Sequence, residues 1–140
     1  MRAYHSTLVG GLLASALNVC EAQELWSIDC ELSSRHLLLI AQGSVKSERD
    51  TSKPFLLTFT NFDARNGTAT LVGNAGAVPI SYSLDDRKLV LLQVTDTGNM
   101  TLTTMNRPER GKPIAAVHSR HIWIFGEGVI SQWAGDCRLR

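Results

Sequence analysis

Short β-prone runs alternate with turn residues along most of this chain. Between residues 25 and 32 the apolar side chains Trp26, Ile28, Cys30 and Leu32 occupy every second position, with polar residues between them. A period of two places these side chains on one face of an extended backbone, so the segment is predicted to be a half-buried strand.

Similar β-prone runs recur at intervals of about ten residues. Turn residues separate the runs, and Asn66-Gly67 supplies the positive φ that a tight hairpin needs. Pro79 lies inside one run, so that strand is predicted to be an edge or to begin at Ile80. The further predicted strands are residues 55–62, 68–72, 78–84, 88–94, 100–105 and 114–125.

Two segments are less regular. Residues 36–40 form a continuous apolar run whose leucines leave helix and strand undecided, whereas residues 42–54 are polar and charged and are predicted to be a long exposed loop. With about eight or nine short strands and almost no amphipathic helical stretch, the chain is predicted to be all-β. A small antiparallel up-and-down barrel is favoured, with a β-sandwich as the alternative.

The N-terminal segment has a different character. Arg2 precedes an apolar run over residues 8–17, which is too short to span a bilayer as a stable helix. Cys20 and Ala22 are small residues at the positions that a signal peptidase inspects. Residues 1–22 are therefore predicted to be a signal peptide with a short helix, and residues 23–140 a single β domain of a periplasmic or secreted protein.

The cysteines support this prediction. Cys20 would leave with the signal peptide, and Cys30 and Cys137 remain near the two ends of the domain. In an oxidising compartment such a pair should form a disulfide. The bond would make the first and last strands neighbours, as a closed barrel requires, although a sandwich whose termini share a sheet would do the same.

The balance of charges along the chain bears on nucleic-acid binding. The full chain carries 14 Lys and Arg against 13 Asp and Glu, and the two signs are interspersed. A dedicated nucleic-acid surface is therefore not predicted. No segment after residue 22 is apolar for long enough to span a membrane as a helix.

Candidate chemistry is concentrated at His118, Arg120 and His121, with Trp123 close by. On a strand the two histidines point to opposite sides, so a shared metal or general-base site would need a bulge between them. The alternative is one exposed histidine and one held in the barrel wall. Trp123 could line a ligand pocket, although core packing is the stronger explanation for the tryptophans near the cysteines. Nucleophile-elbow, phosphate-loop and zinc-protease motifs are absent, so no catalytic residue, metal or cofactor is assigned.

Two short segments near the C-terminus are similar to segments of known proteins. Residues 118–121 (His-Ser-Arg-His) and 131–137 (Ser-Gln-Trp-Ala-Gly-Asp-Cys) resemble the ends of small uncharacterised exported β proteins of soil alphaproteobacteria, and a looser similarity covers residues 61–105. The resemblance implies a periplasmic or secreted β protein, and it assigns no activity and no site residues.

Two functions from different classes remain as hypotheses. The first is an exported, non-enzymatic binding module for a small apolar ligand or a protein partner. The second is a metal-dependent or hydrolytic enzyme that uses His118 and His121, with Asp136 or Glu127 nearby. An open, apolar barrel interior of several hundred cubic ångströms would favour ligand binding.

Overall fold

The structure is a computed structural model and describes residues 26–50 and 53–140. The signal peptide predicted over residues 1–22 lies outside the described residues. Within them, every regular element is a β-strand. None of the described residues belongs to a helix with the length and apolar character needed to span a membrane.

Nine strands follow one another along the chain. They are β1 (Ile28–Ala41), β2 (Ser44–Asp50), β3 (Phe55–Asp63), β4 (Thr68–Gly73), β5 (Gly76–Leu84), β6 (Lys88–Val94), β7 (Met100–Asn106), β8 (Ile114–Ile124) and β9 (Glu127–Leu139).

All strands except β2 form a closed antiparallel barrel. Each strand from β3 to β9 pairs with its neighbour in sequence, and β1 closes the ring by pairing with β3 on one side and β9 on the other. Because side chains alternate across each strand, one set fills the interior and the other faces outward. The predicted up-and-down barrel is confirmed, rather than the sandwich.

The disulfide lies where the ring closes. Cys30 and Cys137 are direct partners in the β1–β9 register and are bonded to each other, as predicted. The interior at this end, called the disulfide end below, is filled by large buried side chains. They include Ile28, Leu32, Phe59, Leu89, Leu91 and Met105.

The prediction of a long loop over residues 42–54 is wrong for most of its length. Ser44–Asp50 form β2, which pairs with residues 35–41 of β1 through a two-residue turn at Gln42 and Gly43, both with positive φ. All of β2 is exposed, so no buried face imposes a visible period of two. The charged side chains of β2 also discourage further strands from adding to its free edge.

The β1–β2 hairpin creates a feature that projects from the barrel. Four strands continue past the other end of the barrel in the order β2-β1-β9-β8. This sheet, called the wall below, consists of residues 35–41, β2, residues 122–124 and residues 127–131. The wall rises along one side of the open end, which is called the mouth below and is rimmed elsewhere by the turns at residues 73–76 and 95–99.

Pro79 does not mark the beginning of a strand or an edge strand of the whole sheet. It lies inside β5 and pairs with Thr70 of β4, but the pairing of β5 with β6 begins only at Ser81. The first half of β5 is therefore a local edge on the β6 side, and an edge is where a residue without a backbone N–H is tolerated.

Candidate functional site

A cavity opens at the mouth of the barrel and has a volume of about 380 Å³. It begins above the filled disulfide end and is bounded on one side by the turn at residues 73–76. The larger apolar side chains of its lining are Phe55, Leu57, Leu71, Val78, Met100 and Ile122.

His118 is the least exposed of the described residues in this lining. The residue is 1% exposed, and its Nδ1 lies 2.7 Å from the Thr103 hydroxyl oxygen on the neighbouring strand β7. The imidazole also contacts two aromatic rings, with centroid distances of 5.4 Å to Phe55 and 5.7 Å to Trp133. Phe55 and Trp133 stack on each other at 4.8 Å, so the histidine belongs to a fixed aromatic cluster.

The environment of His118 keeps its ring uncharged. Burial removes the imidazolium from water, and the positive charge of Arg120 adds to the penalty, so the pKa falls from 6.5 to about 4. At neutral pH the ring is therefore a neutral hydrogen-bonding group beneath an apolar cavity.

Among the described residues that line the cavity, Arg120 is the only charged side chain. It is partly buried, and within the described part of the chain it forms no ion pair. Its neighbours in register are Thr101 of β7 and Ser131 of β9, and Thr101 in turn pairs with Gln93 of β6. The Thr101 hydroxyl donates to the Gln93 side-chain oxygen at 3.3 Å. A polar row therefore crosses the lining of the cavity, with Met100 and Ile122 on its mouth side and the Thr103–His118 pair on its other side.

A second arginine lies on the same face of the wall. Arg35 of β1 pairs in register with Trp133, and its guanidinium carbon lies 5.6 Å from the centre of the indole ring. One of its terminal nitrogens is 3.9 Å from a carboxylate oxygen of Asp50 on β2. Unlike Arg120, this guanidinium has an acidic partner.

His121 and Trp123 lie on the opposite face of β8 from His118 and Arg120. The β8–β9 register runs from Ile114 to Ile124 without a bulge, so the two histidines diverge. His121 is exposed, and the described residues include no group of three or more His, Cys, Asp or Glu arranged to hold a metal ion. Of the four candidate side chains, the fold brings His118 and Arg120 to this cavity, whereas His121 and Trp123 line a separate, smaller pocket of about 160 Å³.

Trp123 belongs instead to an apolar surface at the end of the wall. Its ring covers Gly128, and it is 61% exposed. Ile124 and Phe125 follow it at 51% and 102% exposure. Its backbone N–H donates to the Asn99 side chain at 2.9 Å, which ties β8 to the turn at residues 95–99 on the rim of the mouth.

No local pattern in the sequence identifies Thr103, Thr101 or Gln93 as site residues. Each lies on a different part of the chain from His118 and Arg120, and only the register of β6, β7 and β8 brings them together. The period of two along each strand indicates which face of the sheet these residues occupy. It does not indicate which residues lie beside them on the adjacent strands.

Comparisons of the chain with protein-family models, with curated proteins and with solved structures return no match.

Proposed function

We propose that this protein is a non-enzymatic binding module that holds a small apolar ligand in the mouth of its barrel. The observation that carries the proposal is the cavity of about 380 Å³ with its mainly apolar lining. Ligand pockets in proteins are concave, mostly apolar and typically about 300–1,000 Å³ in volume. An eight-stranded barrel is also about the smallest that holds one small ligand.

The electrostatics of the cavity support the same function. His118 is neutral at physiological pH because burial lowers its pKa, so no second charge opposes an apolar ligand at the bottom of the site. Its Nδ1 is engaged with the Thr103 hydroxyl. A histidine held between aromatic rings provides a preorganised polar contact, whereas a shared catalytic or metal site with His121 has no support in the divergent β8 geometry.

Dye binding tests the proposal. N-phenyl-1-naphthylamine is neutral and fluoresces when it leaves water, so its emission should rise when it is titrated with the folded protein. Val78→Trp places a large ring in the cavity and should abolish the increase. Val72→Trp is the matched control, since Val72 lies on the neighbouring strand and is 37% exposed outside the cavity.

Circular dichroism should show that both variants remain folded. Equal dye binding by wild type and Val78→Trp would place the dye elsewhere and overturn the proposal. Absence of any binding to the wild type would favour recognition of a protein partner through the surface.

We also propose that the protein acts in the periplasm or outside the cell. The disulfide is typical of an oxidising compartment. The basic and apolar pattern of residues 1–22 supports export through a cleaved signal peptide. N-terminal sequencing of the protein from its own host should begin at Gln23, and an intact N-terminus in the mature product would contradict export by this route.

A further inference from the structure

We propose that the cavity binds a single-chain amphiphile with an anionic headgroup, and that Arg120 holds the headgroup at the mouth while the chain occupies the apolar interior. This inference rests on the proposed ligand-binding function and specifies the chemical class of the ligand. The juxtaposition that carries it is one partly buried guanidinium, without an ion pair among the described residues, on the lining of a mainly apolar cavity.

A partly buried cation is costly unless an anion or several hydrogen-bond acceptors offset its lost hydration. Acids of the wall do not provide this compensation. Glu48 lies in the same row of the sheet as Arg120, but Ser131 and Leu37 separate them, which at about 4.8 Å per strand amounts to roughly 14 Å. Glu127 pairs with Ile124, four residues further along β8. An anionic ligand group would supply the missing partner.

The polar row at the mouth is suited to a headgroup. Gln93, Thr101 and Arg120 are consecutive partners across β6, β7 and β8, and all three line the cavity. The guanidinium presents several N–H donors in a plane, which matches the oxygens of a carboxylate, sulfate or phosphate. The Thr101 and Gln93 side chains add hydrogen-bonding groups beside it.

The interior limits the ligand to one charge at one end. On the disulfide side of the polar row, the described lining is apolar except for His118, which is neutral at physiological pH. A second charge at that depth would be desolvated without a counter-ion. The distribution of charged and apolar groups along the cavity therefore fits a ligand with one anionic group followed by a hydrocarbon chain.

Competition for the dye-binding site tests the headgroup. Decanoate, decyl phosphate, decan-1-ol and decyltrimethylammonium share a chain length. Each is used to displace N-phenyl-1-naphthylamine below its micellar concentration or, for decan-1-ol, below its solubility limit. Decanoate or decyl phosphate should displace the dye at concentrations roughly tenfold or more below those of decanol, the typical gain from one charge-assisted contact. The stronger of these two anions identifies the headgroup as a carboxylate or a phosphate.

Arg120→Gln should remove this preference. The variant keeps hydrogen-bonding groups but loses the charge, so decanoate should weaken roughly tenfold while decanol and the dye stay within about twofold. Arg87→Gln is the matched control for net charge, because Arg87 is exposed in the β5–β6 turn at the disulfide end. It should behave as the wild type.

Several outcomes would overturn the inference and leave the ligand-binding function standing. These are equal displacement by decanoate and decanol in the wild type, preference for the cationic amphiphile, or equal weakening of acid and alcohol in Arg120→Gln. Should the dye not bind, calorimetric titration with decanoate decides directly. Binding that Arg120→Gln weakens roughly tenfold or more supports the inference, and absence of binding overturns both proposals.

Discussion

His118 shows how one buried side chain links the fold to pH. Its pKa in the folded protein is about 4, against 6.5 for the free side chain, chiefly because burial disfavours the imidazolium. Between these two values the unfolded chain binds a proton that the folded protein excludes. Stability therefore rises with pH across this window and is lost as the pH falls from 6.5 towards 4.

Acidification from pH 7 to pH 4 should cost about 3 kcal/mol of unfolding free energy through His118 alone. Urea denaturation at both pH values measures the total loss, to which carboxylates such as Asp85 also contribute because backbone N–H donors lower its pKa. His118→Gln should reduce the loss, whereas His121→Gln, on the exposed face of β8, should not. The same pH dependence in wild type and His118→Gln would contradict this assignment.

At the scale of strands, the pairing of β1 with β9 depends on a glycine. A Cβ atom at Gly135 would lie 2.2 Å from the Glu31 carbonyl oxygen and 2.8 Å from the Leu32 Cα. Both atoms belong to the backbone of β1, beside a register shift between Leu32 and Ser34. The two strands approach too closely here for any side chain.

Gly135→Ala should therefore destabilise the protein by about 3 kcal/mol, since backbone atoms must move to accommodate the methyl group. Chemical denaturation with intact disulfide measures the change. Gly73→Ala is the matched control, because the new methyl would meet only the flexible end of Leu57 at 3.5 Å. Similar stability of the two variants would show that β1 and β9 can separate without cost.

Local pattern predicts the strands of this protein better than it predicts their neighbours. β6 has the bounds expected from the sequence, Lys88–Val94, because it alternates between a buried and a less buried face. β2 was missed because all its residues are exposed, and backbone pairing with β1 alone maintains it. A strand without a buried face leaves no period of two in the sequence.

The candidate site was partly predictable for the same reason. The period of two on β8 correctly separated His118 from His121, but it could not identify Arg120 as a partner of Thr101. That pairing is set by the register of β7 against β8, which depends on turn lengths and on the packing of the whole interior. Trp123, which resembled a pocket residue in sequence, points away from the cavity and covers Gly128.

For the whole molecule, the disulfide joins the two strands that close the barrel. Cys30 and Cys137 are 107 residues apart, so the bond encloses nearly all of the described chain in one covalent loop. In the chain-entropy model a cross-link of this span lowers the conformational entropy of the unfolded state. This raises the free energy of the unfolded state by about 4 to 5 kcal/mol. That is a large fraction of the roughly 5–15 kcal/mol by which natural domains are stable.

The double variant Cys30→Ala/Cys137→Ala should lose roughly this amount, because its unfolded chain regains the freedom of an open polymer while the β1–β9 hydrogen bonds remain available to the folded state. Denaturation in urea measures the loss, and reduced wild type should unfold at nearly the same midpoint as the double variant. Since neither cysteine lines the cavity, the folded double variant should still bind N-phenyl-1-naphthylamine. A stable variant without dye binding would mean instead that the bond shapes the mouth rather than the unfolded chain.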